Sequence, residues 1–135
     1  MIIDIKYIFF IIFLMFIKIS FFKSEVVSKT IKAKLVTTIQ DKKFGLMFRK
    51  YLNYDEGMLF KFDYKINSIW MKNTYIPLDV LFLDKKYKVI GYVEDTVPLS
   101  LDTVSIDNPS DYILEVNAGW VRDNNIKIGY IIDVE

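Results

Sequence analysis

Apolar and polar residues alternate over several short stretches of this chain, the pattern of half-buried β-strands. In "KTIKAKLVTTI" Ile31, Ala33 and Leu35 form the apolar side, and lysines occupy the other. Further short runs predict strands: "MLFKF", "SIWMK", "LDVLFLD", "KVIGYVED", "YILEV" and "IKIGYIIDV". We therefore expect six to eight short strands along the chain.

Two stretches favour helices instead. In "TIQDKKFGLMFRKYL" apolar residues such as Phe44 and Met47 recur at helical spacing, which predicts the main helix. Thr38, followed three residues later by Asp41, resembles a capping box at its start. A second, short helix is predicted in "NAGWVRDNN", with Asn117 as its cap.

The turn "NYDEG" separates the main helix from the next strand, and we expect Gly57 to adopt a positive φ there. Short strands need their edges closed or covered. The elements together predict an α+β, mainly β fold: a curled antiparallel sheet or partial small barrel with one main helix and one short helix. An N-terminal hydrophobic helix would precede it.

The N-terminal segment is apolar throughout its middle. "YIFFIIFLMFI" (Tyr7 to Ile17) contains eleven apolar residues without a charge. A bilayer span needs about 20, so this length fits the hydrophobic region of a secretory signal. We predict a signal peptide or membrane anchor at residues 1–24 and a single β-rich domain at residues 29–135. A buried hydrophobic helix is the alternative.

This segment predicts where the protein is found and what it contacts. The protein would be exported, and would be periplasmic or anchored to the inner membrane facing the periplasm. The N-terminal segment would make the membrane contact. We predict no nucleic-acid partner, because no run of lysines is dense enough to indicate one.

Composition removes several chemistries. The chain has no Cys and no His, which excludes disulfides, thiol nucleophiles, zinc–thiolate sites and the Ser-His-Asp triad. Any general acid or base must be Asp, Glu, Lys or Tyr. We predict neither a cofactor nor a metal site. Residues 25–90 carry 13 basic and 7 acidic side chains, whereas residues 91–135 carry 2 basic and 9 acidic ones.

Four segments in order, "GLMFRKYL", "DEGMLFKF", "WMKNTYIPLDVLFLD" and "LEVNAGW", resemble the family known as domain of unknown function 192. The resemblance covers about residues 31 to 135. It implies a small, compact, β-rich domain that is often exported or lipid-anchored, and it implies no activity. Two positions depart from the family pattern: Ile69 replaces an aromatic residue, and Tyr130 replaces an Asp.

The third segment raises the main question about a site. In "LDVLFLD" Asp79 shares a face with Leu81 and Leu83, and a carboxylate among leucines needs a partner or a shifted pKa. Lys72 is a candidate partner, but the strand register decides whether the two meet. Alternatively, Asn73, Thr74 and Asp79 bind loop backbone and hold the hairpin shut.

A second group of polar residues flanks the connection from helix to strand. Arg49 is suited to binding a carboxylate or phosphate, and the alternative is a surface ion pair with Glu56 or Asp55. If these residues converge on one cleft, Trp70 would form the floor of a small anion or sugar pocket. The predicted ligand-binding residues are therefore Arg49, Glu56, Trp70, Lys72, Asn73 and Asp79.

Three functions follow from this pattern. The first is a non-enzymatic cell-envelope binding domain for a small polar ligand, a glycan or a protein partner. The second is a carboxylate-dependent glycoside hydrolase acting on envelope polysaccharide, with Asp79 and Glu56, Asp55 or Asp95 as its pair. The third is an interaction module that stabilises a membrane assembly through the acidic C-terminal half, beside an exposed Trp120.

Overall fold

The computed structural model describes residues 4–22 and 28–135. It contains three helices and six strands within that part of the chain. In chain order these are α1 (Ile5–Phe22), β1 (Ser28–Val36), α2 (Ile39–Phe44), β2 (Glu56–Ile69), β3 (Leu78–Leu83), β4 (Val89–Val93), β5 (Val104–Asn117), α3 (Trp120–Asp123) and β6 (Ile131–Val134).

The helix α1 contains the apolar run of the N-terminal segment, and its described side chains up to Phe13 are exposed. No helix in residues 4–22 or 28–135 combines the length and the apolar character that crossing a bilayer requires. Residues 1–3 and 23–27 lie outside the described part, so the predicted signal or anchor at residues 1–24 is described only in part. That role stays a prediction.

The six strands form one curled sheet in the order β4-β3-β5-β2-β1-β6. Backbone bonds also join its two edges: Val89 donates to Tyr130 at 2.8 Å, and Ile132 donates to Tyr87 at 3.0 Å. The sheet is thereby a half-barrel, which confirms the mainly β fold and the partial barrel.

The sheet is not purely antiparallel, which corrects the prediction. Strand β1 runs parallel to both β2 and β6, while the remaining pairs are antiparallel. A parallel pair needs a long crossover connection. Residues 37–55, which include α2, supply that connection between β1 and β2.

The sheet buries a core on each of its faces. The inner core packs against α3 and includes Leu59, Leu81, Leu114, Val116, Trp120 and Ile132. The outer core includes Met58, Phe60, Leu78, Val80, Phe82 and Ile113. Because side chains alternate between faces along a strand, a polar residue that follows an inner-core residue lies on the outer face.

The helix α2 is shorter than predicted. Its start is confirmed, since the Thr38 hydroxyl accepts a hydrogen bond from the Asp41 backbone N–H at 3.1 Å. Its end comes at Phe44, because Gly45 adopts φ +47° and stops the helix. The following apolar residues therefore lie in a turn rather than on a longer helix face. The short helix α3 begins after Gly119, and Asn117 lies in β5 instead of capping it.

Gly57 does not adopt the predicted positive φ; it lies buried inside β2. A Cβ atom there would lie 2.9 Å from the Glu115 carbonyl oxygen and 3.1 Å from a Leu114 methyl carbon. The glycine is therefore explained by close backbone packing. We expect Gly57→Ala to lower the free energy of unfolding by about 1–3 kcal/mol, measured by chemical denaturation. A stability equal to that of the wild type would contradict this packing.

Candidate functional site

The two longest strands, β2 and β5, are irregular where they extend past their neighbours. Their pairing shifts register between Lys61 and Ile66, and again between Ile66 and Ser68. Lys65 and Asp111 form an ion pair at 2.7 Å across this irregular region. Register shifts of this kind bend a strand and increase its twist. A hollow remains between the bent part of β2 and the helix α2.

This hollow is a pocket of about 570 Å³, which we call the Glu115 pocket. Its volume lies in the range of about 300–1,000 Å³ that is usual for small-molecule sites. Five aromatic side chains line it: Phe44, Phe60, Phe62, Tyr64 and Trp70. Phe44, Tyr64 and Trp70 are each at least half exposed, so aromatic surface is available at the entrance.

Glu115 is the carboxylic acid at the buried end of this pocket. It lies in β5, where its register partners are the apolar residues Met58 and Val80. Its exposed fraction is only 8%. Within residues 28–135 no donor makes a hydrogen bond or ion pair with its carboxyl group, which faces the hollow instead.

Burial raises the pKa of the Glu115 carboxyl to about 8. Burial disfavours the charged form, and no donor in residues 28–135 compensates for the lost hydration. At pH 7 the pocket therefore contains a protonated carboxyl group, which can donate one hydrogen bond and accept others.

Charged residues border the rest of the pocket. The Lys42 ammonium lies 4.8 Å from the centre of the Phe62 ring, and this cation–π contact links α2 to β2. Lys43 and Asp63 also line the pocket, and both are exposed. The arrangement thus combines an aromatic wall, a neutral acid inside and charges of both signs outside.

Asp79, the central residue of the sequence prediction, lies outside this pocket. It is fully buried on the inner face, with Leu81 and Leu83, as the alternation predicted. Its carboxylate accepts hydrogen bonds from the backbone N–H groups of Asp95 at 3.0 Å and Val121 at 2.9 Å. It therefore joins β3 to the loop after β4 and to α3, and no partnership with Lys72 forms.

Trp70 and Lys72 do lie together at the protein surface. The Lys72 ammonium lies 5.0 Å from the centre of the Trp70 ring. Trp70 is 51% exposed and is the only one of the six predicted residues that lines the Glu115 pocket in the described part of the chain. Trp70 therefore belongs to the aromatic lining of the pocket.

The other predicted residues do not converge on the pocket. Asn73 adopts φ +53°, and its carbonyl oxygen accepts a hydrogen bond from the Phe48 N–H at 2.9 Å. Arg49 is exposed in the turn after α2. Glu56 begins β2 and is half-buried. Among residues 28–135 the two form no ion pair with each other.

Two further features bear on the chemistry of the site. No group of three or more Asp or Glu side chains in the described ranges is arranged to hold a metal ion. Trp120, which we expected to be exposed beside an acidic face, is 3% exposed and packs in the inner core. Its burial leaves the C-terminal half without that aromatic contact surface.

Sequence reasoning missed Glu115, although a signal for it was present. Glu115 is the only charged residue of "YILEV", and it lies within the fourth segment of the family resemblance. A carboxylate inside an apolar strand is the same signal that drew attention to Asp79. The sequence does not distinguish the two, because their difference lies in which backbone donors reach each carboxyl group.

Comparison with known proteins places this chain among uncharacterised domains. The family model of domain of unknown function 192, described as an uncharacterised ACR, matches residues 21–134. A crystal structure of a proposed transcription regulator from Sinorhizobium meliloti 1021 is similar, with 36% identity and a TM-score of 0.69. The similarity covers 72% of this chain and 76% of that one.

A second crystal structure, of a protein of unknown function from Novosphingobium aromaticivorans DSM 12444, is also similar. It shares 32% identity over 72% of this chain and 70% of its own, with a TM-score of 0.67. No curated protein matches the chain. The comparisons therefore establish family and fold, and they supply no ligand for the pocket.

Proposed function

The chain belongs to the domain of unknown function 192 family, and from that premise we propose that it is a non-enzymatic binding domain of the cell envelope. Its site is the Glu115 pocket, and its ligand is a small polar molecule or glycan. The observation that carries this proposal is a buried, neutral acid at the end of an aromatic-lined hollow. The apolar residues 7–17 support the location at the envelope.

A sugar ring fits both parts of this pocket. Its C–H face can stack on exposed aromatic surface such as Trp70 and Tyr64. Its hydroxyl or acetamido groups can exchange hydrogen bonds with the protonated Glu115, which both donates and accepts. Neutral ligands are favoured over anions at the buried end of the pocket, since an anion there would lose its hydration in an apolar interior.

We expect the full-length chain to bind oligomers of β-1,4-linked N-acetylglucosamine, measured by isothermal titration calorimetry. Trp70→Ala removes a stacking surface, and Glu115→Leu removes the buried hydrogen-bonding group. Each substitution should weaken binding about tenfold, which corresponds to about 1.4 kcal/mol.

Leu35→Ala is the matched control, because Leu35 is 53% exposed and does not line the pocket. Its affinity should equal that of the wild type. Absence of binding by the wild-type chain would overturn the glycan ligand. Binding that neither Trp70→Ala nor Glu115→Leu weakens would overturn the pocket as its site.

One observation favours glycoside hydrolysis as a second candidate function. Glu115 and Asp63 line the same pocket, the first buried and the second exposed. Such hydrolases use two carboxyl groups in different environments, one of them a buried acid that stays protonated. This pair replaces those built on Asp79, whose carboxylate is occupied by backbone donors. Release of new reducing ends from the same oligomers, abolished in Glu115→Gln, would favour the enzyme over the binding domain.

A further inference from the structure

Three loops meet at one part of the domain surface. They comprise residues 46–51, 70–76 and 97–102, and together we call them the loop edge. Backbone bonds connect them: Phe48 donates to Asn73 at 2.9 Å, and Leu99 donates to Thr74 at 3.0 Å. A third bond, from the Met71 N–H to the Ser100 carbonyl oxygen at 3.2 Å, also joins the second loop to the third.

The loop edge presents apolar side chains to solvent. Val97 is 68% exposed and Leu101 is 67% exposed. The exposed apolar side chains of the loop edge include Phe48, Trp70, Tyr75, Val97, Leu99 and Leu101. A single exposed apolar residue is normal on a protein surface. A contiguous group of them marks an interaction surface.

The backbone of the loop edge is held in a rarely adopted conformation. Three of the six non-glycine residues with positive φ in the described part of the chain lie here: Phe48, Asn73 and Leu99, at 65°, 53° and 64°. These φ angles lie in the left-handed region of backbone conformation, which is unfavourable for bulky side chains. Two of the three carry exposed apolar side chains. Strained backbone conformations persist only where the surrounding structure holds them, and they cluster at functional sites.

The charges of the loop edge are mainly positive. Arg49, Lys50 and Lys72 are exposed, and Asp102 is the one acidic residue within the three loops. The loops therefore carry a net charge of +3 − 1 = +2. Positive charge beside apolar side chains is complementary to a layer of anionic lipid headgroups above hydrocarbon.

The residue types and their placement also match a lipid surface. Trp and Tyr are enriched at the membrane–water interface, where one end of the ring is apolar and the other is hydrated. Long basic side chains can keep their charge at the headgroups while their stems lie against apolar groups. The apolar side chains stand on three separate loops, and a broad partner can contact all three at once.

We propose that the loop edge docks the folded domain on a membrane surface that contains anionic lipid. The side chains of Val97, Leu99 and Leu101 enter the interface, and Trp70 lies at headgroup depth. Arg49, Lys50 and Lys72 contact the lipid phosphates. This contact is separate from any made by α1, and it does not depend on the function proposed for the Glu115 pocket.

The two tryptophans allow the contact to be measured in the full-length chain. Trp120 is 3% exposed in the inner core, whereas Trp70 is 51% exposed on the loop edge. Vesicles of phosphatidylcholine and phosphatidylglycerol with brominated acyl chains quench only indoles that reach the interface. We expect these vesicles to quench the emission of the wild-type chain, and Trp70→Phe to remove the quenched fraction.

The double substitution Val97→Asp/Leu101→Asp should lower the quenching by more than about half, because charges replace the inserted side chains. Ile128→Asp is the matched control, since Ile128 is 68% exposed but lies outside the three loops. It should be quenched like the wild type. Vesicles without phosphatidylglycerol should also quench less, and added salt should reduce the difference.

The design separates docking by the loop edge from attachment by α1. If the chain floats with the vesicles but Trp70 is not quenched, α1 alone makes the contact and the proposal is wrong. Equal quenching of the wild type and the Val97→Asp/Leu101→Asp variant would also overturn it. If an acidic protein surface covers the loop edge instead, the free chain will show no quenching on either type of vesicle.

Discussion

Raising the pH from 4.5 to 8 is expected to destabilise this protein through one side chain, Glu115. In the native state burial keeps this carboxyl protonated up to a pKa of about 8, against 4.5 for an exposed glutamate. Between those values the unfolded chain releases the proton and the native state retains it. The free energy of unfolding therefore falls as the pH rises.

The size of this loss in the free energy of unfolding follows from the change in the pKa of Glu115. The pKa rises by 8 − 4.5 = 3.5. At about 1.4 kcal/mol per pKa unit, the loss approaches 5 kcal/mol by pH 8, as an order of magnitude. The stabilising contribution of protonated Glu115 is fully present below pH 4.5 and is lost as the pH rises to the native pKa of about 8. Chemical denaturation at a series of pH values measures it.

Glu115→Gln isolates this contribution, because glutamine has nearly the same shape and does not titrate. The variant should equal the wild type within about 1 kcal/mol at pH 4.5. It should exceed the wild type by several kcal/mol at pH 8. Parallel pH profiles for the two proteins would show that the pKa of the Glu115 carboxyl is not raised in the folded protein.

Asp79→Ala is expected to have the second-largest effect, a loss of about 3 kcal/mol in the free energy of unfolding. The substitution leaves the backbone N–H groups of Asp95 and Val121 without their acceptor. Val121 lies in the first turn of α3, which has no side-chain cap of its own. The loss should appear at neutral pH in urea denaturation followed by circular dichroism.

Asp133→Ala is the matched control, since Asp133 is an exposed aspartate on β6. Its stability should stay within about 0.5 kcal/mol of the wild type. Glycan binding by the folded fraction of Asp79→Ala should be unchanged, because Asp79 does not line the Glu115 pocket. Unchanged stability with lost binding would instead make Asp79 a ligand contact.

The face of each β3 residue could be predicted from sequence, whereas the partner of Asp79 could not. Alternation alone places Asp79 with Leu81 and Leu83, because successive side chains of a strand point to opposite faces. Its actual partners are backbone N–H groups 16 and 42 residues away in the chain. Every residue except proline carries such a group, so no residue type marks it.

The direction of β1 could not be predicted from the sequence either. A strand has the same apolar alternation whether its neighbours run parallel or antiparallel to it. What decides the direction is the length and path of the connections, and the connection from β1 to β2 contains only the short helix α2, which ends at Phe44. The predicted longer helix would have used residues that instead form the turn beside the pocket.

The position of Trp70 has one consequence for how the molecule works as a whole. The same indole lines the Glu115 pocket and belongs to the loop edge. If a sugar in the pocket and lipid at the surface both engage it, the two events are thermodynamically linked. Reciprocity then requires that each changes the affinity for the other by the same factor.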